Sequence, residues 1–195
     1  MLRYTLFSLA LLSITGIAQA QKNKAAAKPA FDKGTKTIGI SAGTGRNWGY
    51  YGNAVSLPAF SLMYDQGIIA NAGPGTVGVG GILGYQTARY DYSGGYRATW
   101  TNYIAGVRAT WHLTILKDKN NKFDPYAGVL LGVRVYDYKD TWYDYYGSNP
   151  YNYSSVYPVT GVFVGARYNF SNHFGAFAEA GYDISFLRGG LHINF

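Results

Sequence analysis

The chain has 195 residues, 26 of them Gly and 20 Tyr, no Cys, and a formal charge of +7. Without Cys there is no disulfide framework, thiolate metal site, thiol nucleophile or lipidated N-terminal Cys. Charged residues are 14% and aromatics 17%, too few charges for a disordered polyelectrolyte and too aromatic for an average cytosolic domain.

Residues 1–20 carry Arg3, an apolar stretch from Leu6 to about Ile17, and then Ala18-Gln19-Ala20, the small-x-small pattern that signal peptidase needs. That stretch is short for a membrane span, so it predicts a cleaved secretory signal and a mature chain starting near Gln21. Residues 21–36 hold five Lys against one Asp and no apolar period, which predicts a flexible basic lead-in. Residues 37–195 remain for a single domain. Most of the mature positive charge sits in the lead-in, so the basic balance gives no case for a nucleic-acid partner.

From residue 37 onward the dominant pattern has period two. Strands are expected at roughly 37–45, 56–65, 75–91, 103–113, 127–136, 158–170, 174–182 and 187–195. Residues 103–113 set Tyr103, Ala105, Val107, Ala109 and Trp111 opposite Ile104, Gly106, Arg108, Thr110 and His112. Residues 127–136 and 158–170 repeat the arrangement, with Arg134 and Arg167 on the glycine-bearing face. In the last two blocks Glu179 and Arg188 fall on that same face. Turn-rich stretches at 66–74, 116–124 and 170–172 alternate with 46–54, 92–95, 139–155 and 183–185. An even strand count with both termini at one end gives an eight-stranded antiparallel up-and-down transmembrane β-barrel.

The polarity of the two faces separates this from a soluble lipocalin-like ligand carrier, which packs apolar side chains inward. Here Arg108, Arg134, Arg167, Arg188 and Glu179, the only Glu in the chain, share a face with most strand glycines, which suits a narrow interior. The opposite face is aliphatic, with Trp111, Tyr168, Phe170, Phe174 and Phe195 towards its ends, the pattern of a lipid-facing band with an aromatic girdle. Glu179 and Arg188 should meet near mid-barrel, with Arg167 approaching from the other side. The five charged residues are expected to form a structural ion network in a lumen that leaves no diffusive pore.

The stretches Gly75–Tyr85, Gly165–Gly175 and Phe177–Tyr182, and the closing Leu191-His-Ile-Asn-Phe195, resemble the small outer-membrane β-barrel proteins of the OmpA/OmpX-like class, particularly those common in Bacteroidetes. The resemblance covers nearly all of the mature chain and implies an integral outer-membrane protein with periplasmic termini. It also implies contact with outer-membrane lipid and lipopolysaccharide, and reading of the C-terminal strand, through Phe195, by the barrel-assembly machinery. Its motifs mark architecture and export rather than an activity.

Other signals are weaker. Gly73-Pro-Gly-Thr-Val-Gly78 matches a dinucleotide fingerprint, but a glycine-broken strand follows where a helix is required. His112, His173 and His192 fall near strand ends on the periplasmic side, without metal-pair spacing, and read as structural or interfacial. No cofactor or metal is expected. Tyr138 to Tyr157 holds seven Tyr and one Trp, and Tyr-rich loops bind well because aromatic area comes with few rotamers to freeze. The candidate contact residues are Trp48, Tyr50, Tyr51, Trp142, Tyr143, Tyr145, Tyr146, Tyr151 and Tyr153, facing an extracellular protein or glycan. The functional expectation is a non-enzymatic structural or surface-interaction protein; the alternative is a barrel enzyme acting on lipid or peptide.

Overall fold

A computed structural model describes residues 29–44, 54–114, 122–142 and 151–195. Their strands are β1 (Lys36–Thr44), β2 (Val55–Ser56), β3 (Ala59–Ala72), β4 (Gly75–Asp91), β5 (Arg97–Leu113), β6 (Phe123–Asp140), β7 (Tyr151–Asn169), β8 (Phe174–Tyr182) and β9 (Leu187–Asn194). Pairing is antiparallel throughout, and the order β4-β3-β1-β9-β8-β7-β6-β5 closes through β4–β5 into a ring of eight. β2 adds no ninth position. It continues β3 beyond Pro58, which has no N–H for the ladder, and pairs with the same neighbour, Val55 opposite Arg89. The first and last strands seal the ring, with Ile40 opposite Leu191.

Side-chain parity holds around the ring. Leu131 and Val162 are 60% and 62% exposed on the outside, whereas Arg108 and Glu179 on the inside are 1% and 3% exposed. Inner glycines make the room. A Cβ at Gly80 would run into the Tyr64 carbonyl, and one at Gly165 would sit 2.8 Å from Glu179 Cγ.

The interior is layered. Ionic side chains fill the half nearer the termini, and an apolar layer of Ile82, Ile104, Leu130, Val159 and Ile184 lies above them. Ile184 belongs to the β8–β9 turn, which folds inward with Asp183 and Ser185 also buried.

Several expected boundaries move. Residues 66–72 and, among the described residues of the second stretch, 139–140 and 151–155 are strand: β3 runs to Ala72 before turning at Gly73-Pro74. β6 and β7 stay paired as far as Asp140 opposite Tyr151. Tyr, Thr and Val suit a pleated ribbon, so the polar composition there marks exposure to water rather than the end of pairing. In β3 the register shifts around Ile69, and Asn71 takes a φ of 56°, a left-handed conformation that Asn tolerates. The lead-in is also not flexible to its end, because Phe31 is buried in the mouth of the barrel. β4 to β7 have 17 to 19 residues and β1, β8 and β9 only 8 or 9. At the end opposite the termini, a tall wall therefore stands over a low rim.

The glycine geometry gives a paired test. Gly80→Ala forces a backbone shift and should cost about 1–3 kcal/mol. Gly81→Ala points outward, where its Cβ meets only the Gly106 carbonyl at 3.5 Å, and should stay within about 0.5 kcal/mol. Urea unfolding in micelles measures both.

Candidate functional site

The most concentrated chemistry lies inside the ring. Glu179 on β8 stands directly opposite Arg188 on β9. Its carboxylate accepts from Arg188 Nε at 2.6 Å and from Arg188 Nη2. It also accepts from Arg108 Nη2 at 2.6 Å and from the Tyr126 hydroxyl at 2.7 Å. Arg188 reaches Asp183 at 2.7 Å. The Phe163 ring lies against both guanidiniums, 4.3 Å from Arg108 and 5.7 Å from Arg188. Removing such charges from water is costly, and only this density of charge-assisted bonds offsets it.

A second cluster lies nearer the termini. Arg167 Nη2 donates to Asp65 at 2.7 Å, and the Thr110 hydroxyl donates to the other Asp65 oxygen at 3.1 Å. His112 Nδ1 is 2.9 Å from Asp124, and its Nε2 is 3.0 Å from Thr110 Oγ1. Phe31 stacks on the His112 ring at 3.7 Å and 14°, with the Arg167 guanidinium 5.4 Å from the Phe31 centroid. The Gly34 N–H donates to the Gly67 carbonyl at 2.9 Å, and the Asp32 carbonyl occupies the space a Cβ on Gly67 would need. The segment before β1 therefore stoppers this end of the lumen.

Of the five charged residues expected to form one network, Arg108 and Arg188 meet Glu179. Arg167 stands one inward step lower, opposite Phe177, while Gly165 is opposite Glu179, so it turns to Asp65. Arg134 lies above the apolar layer, donating to Asn102 Oδ1 at 3.2 Å and packing 4.9 Å from Tyr157. Asp65, Asp124 and Asp183 were missed as interior partners. Asp65 shares parity with Ser61 and Met63, and Asp124 with Tyr126, so inward direction was legible even though pairing was not. His112 and His192 are buried, the latter bonded through Nε2 to Asn169 at 2.8 Å, whereas His173 is exposed in the β7–β8 turn. Phe195 exchanges backbone bonds with Lys36.

The tall wall carries a separate aromatic group. Trp100 packs on Tyr138 at 5.4 Å, and Trp142 lies 5.2 Å from Tyr92 and 5.6 Å from Tyr96. Tyr151 packs on Tyr138, and Tyr153 on Tyr136. The phenols of Tyr138 and Tyr92 donate to Asp140 at 2.7 and 3.3 Å. Burial first, and then the Asp140 carboxylate, pushes the Tyr138 phenol above its ordinary pKa. Trp48, Tyr50, Tyr51, Tyr143, Tyr145 and Tyr146 lie outside the described residues.

No known family profile matches the chain, and no curated protein matches it in sequence. Among solved structures it is similar to Ail, the attachment invasion locus protein of Yersinia pestis, in complex with the heparin analogue sucrose octasulfate. That match has 16% identity, a TM-score of 0.50, and covers 83% of this chain and 95% of that one. The chain has the fold of a small outer-membrane β-barrel protein. The N-terminal β-barrel domain of Pseudomonas aeruginosa OprF also aligns, with 13% identity, a TM-score of 0.46 and coverage of 84% and 98%. A further structure of Ail from Yersinia pestis gives 15%, 0.42, and 83% and 95%.

Within this barrel, Thr110, His112 and Asp124 follow the hydroxyl–imidazole–carboxylate order of a hydrolase triad, but their hydrogen bonds run the wrong way. Thr110 gives its one proton to Asp65 rather than to His112, whose Nδ1 lies against the Asp124 carboxylate. Phe31 also covers the imidazole ring. The arrangement is a packed ionic layer.

Glu179→Ala should cost about 3–5 kcal/mol, because it leaves the buried Arg108 guanidinium without a carboxylate and Arg188 with Asp183 alone. The readout is the unfolding midpoint in detergent, and an unchanged midpoint would remove the network from the stability account. For the wall, Tyr138→Phe should abolish a phenolate absorbance step lying above the ordinary tyrosine range. With the folded pKa raised, this phenol contributes stability that is present below its unfolded pKa of about 10 and lost as pH rises through the folded value.

Proposed function

We propose that the mature chain is a non-enzymatic integral outer-membrane protein, with its termini in the periplasm and its tall wall outside the cell, where it serves a structural or surface-interaction role. The observation that carries this reading is the inverted polarity of the ring. Leu, Val and Ile side chains are exposed all round the outside, while Arg108, Arg167, Arg188, Asp65 and Glu179 are buried inside. In water that arrangement would expose an apolar girdle far beyond the usual patch size. In lipid it is the stable one, since a closed ring leaves no backbone group unpaired.

An interaction role is supported by the wall itself. Trp142, Tyr151 and Tyr153 bring aromatic area beside polar Asn152 and Ser154, a composition suited to a protein or glycan surface. The similar Ail structure is a complex with the heparin analogue sucrose octasulfate, which supports a glycan among the candidate partners here. On this reading lipid and lipopolysaccharide surround the barrel, and the assembly machinery reads the C-terminal strand.

Membrane fractionation with heat-modifiable gel migration tests the localisation. The chain should fractionate with the outer membrane and migrate differently before and after boiling, whereas recovery as a soluble monomer without detergent would contradict the proposal. On intact cells, protease should clip within 139–155 and leave a C-terminal tag untouched; clipping of the tag would reverse the assigned orientation.

A further inference from the structure

The outside of the ring is not a uniform apolar cylinder. Two shallow grooves lie side by side on it. One, of about 600 Å³, is floored by Gly81 and walled by Ile38, Leu62, Leu83, Val107 and Val133. The other, of about 590 Å³, is floored by Ala42 and Gly189 and walled by Ile40, Phe60, Tyr85 and Leu191. Leu62 and Leu83 form the ridge they share. Gly81 faces outward between Val79 and Leu83, where a Cβ would touch only the Gly106 carbonyl at 3.5 Å, so the first groove exists because this position lacks a side chain.

Following β4 and β5 away from the termini, the grooves lead to Tyr85 and Tyr103, opposite each other with ring centroids 5.4 Å apart. Beyond them the same outward parity carries Thr87 and Thr101, and then Arg89, Asp91 and Arg97. Arg97 Nε is 2.6 Å from Asp91 and Arg89 Nε is 3.6 Å from it, with all three side chains about half exposed. Lys139 on β6 is opposite Thr99, which is opposite Arg89. With Asp137 on the same face, this belt holds three cations against two carboxylates. Gly81 to Tyr85 spans roughly half of an apolar band about 25 Å tall. Arg89 stands four residues past the tyrosines, about 13 Å of strand and, at the tilt of barrel strands, about 10 Å of height. Headgroup layers add only about 5–7 Å to each side of an ordinary bilayer, so a phospholipid phosphate falls short of the arginines. A sugar headgroup carrying phosphates reaches them.

We infer that the β3–β4–β5 face is a binding site for one phosphorylated, multi-acyl glycolipid of the outer leaflet. Its acyl chains lie in the two grooves, its sugar rings sit above the Tyr85–Tyr103 pair, and its phosphates bond Arg89, Arg97 and Lys139. The inference rests on the membrane reading above.

The test is native mass spectrometry of the mature chain, refolded in detergent and titrated with bis-phosphorylated lipid A, with dephosphorylated lipid A, and with phosphatidylglycerol. Bis-phosphorylated lipid A should bind as a one-to-one complex. The double variant Arg89→Ala, Arg97→Ala should bind it about tenfold more weakly, as expected for two partly exposed charge contacts. The Lys,Lys double variant should recover most of the affinity. Gly81→Leu, which fills the first groove from outside, should weaken binding at least about threefold. A barrel that folds in detergent yet binds all three lipids equally, or whose variants bind lipid A unchanged, overturns this assignment and leaves the membrane reading standing. A chain that needs no detergent overturns both.

Discussion

Closure of the backbone ring is the constraint from which the other features follow. Each of the eight ring strands is hydrogen-bonded to a neighbour on both edges, including the join between β1 and β9. Among the described residues no open edge is left within the ring itself; residues 151–161 of β7, which rise above β8, pair with β6 alone. The outer surface is therefore free to be aliphatic, and the inner surface is narrow enough that its polar groups must find partners among themselves. Inward glycines such as Gly80 and Gly165 let guanidiniums and rings share that narrow space.

The interior follows from this. Four carboxylates, from Asp65, Asp124, Glu179 and Asp183, find their partners in Arg108, Arg167 and Arg188 and in hydrogen-bonding contact with His112, in contiguous clusters. The apolar layer around Ile104 and Ile184 separates these clusters from Arg134, Asn102 and the aromatic wall. Phe31 covers the other end. A lumen arranged in this way braces the ring, with the Ile82, Ile104, Leu130, Val159 and Ile184 side chains packed together inside it.

Much of this was legible in the sequence. Residues 103–113 and 127–136 alternate so regularly that strand, face and the inward direction of Arg108 and Arg134 could all be read directly. The opposition of Glu179 and Arg188 followed from counting away from a short turn, because hairpin register is local. The partners of Arg167 did not follow. Asp65 is 102 residues away, and their meeting depends on how the closed ring staggers its strands, which alternation does not encode. Phe31 lay in a Lys-rich stretch with no period, so nothing local marked it as a stopper. The length of the β6–β7 hairpin was underestimated because Asp, Asn and Ser there suggested a loop, whereas the tyrosines and cross-strand pairing prolong it.

The central claim is that the aliphatic outer face meets lipid. The natural chain has no Cys, so single spin labels can be placed cleanly at Leu131→Cys and Val162→Cys outside and at Ile104→Cys inside. In vesicles, power-saturation accessibility at residues 131 and 162 should favour oxygen strongly over a water-soluble nickel chelate, with residue 104 shielded from the chelate. Labels at 131 and 162 that the chelate reaches as readily as oxygen does would contradict the account.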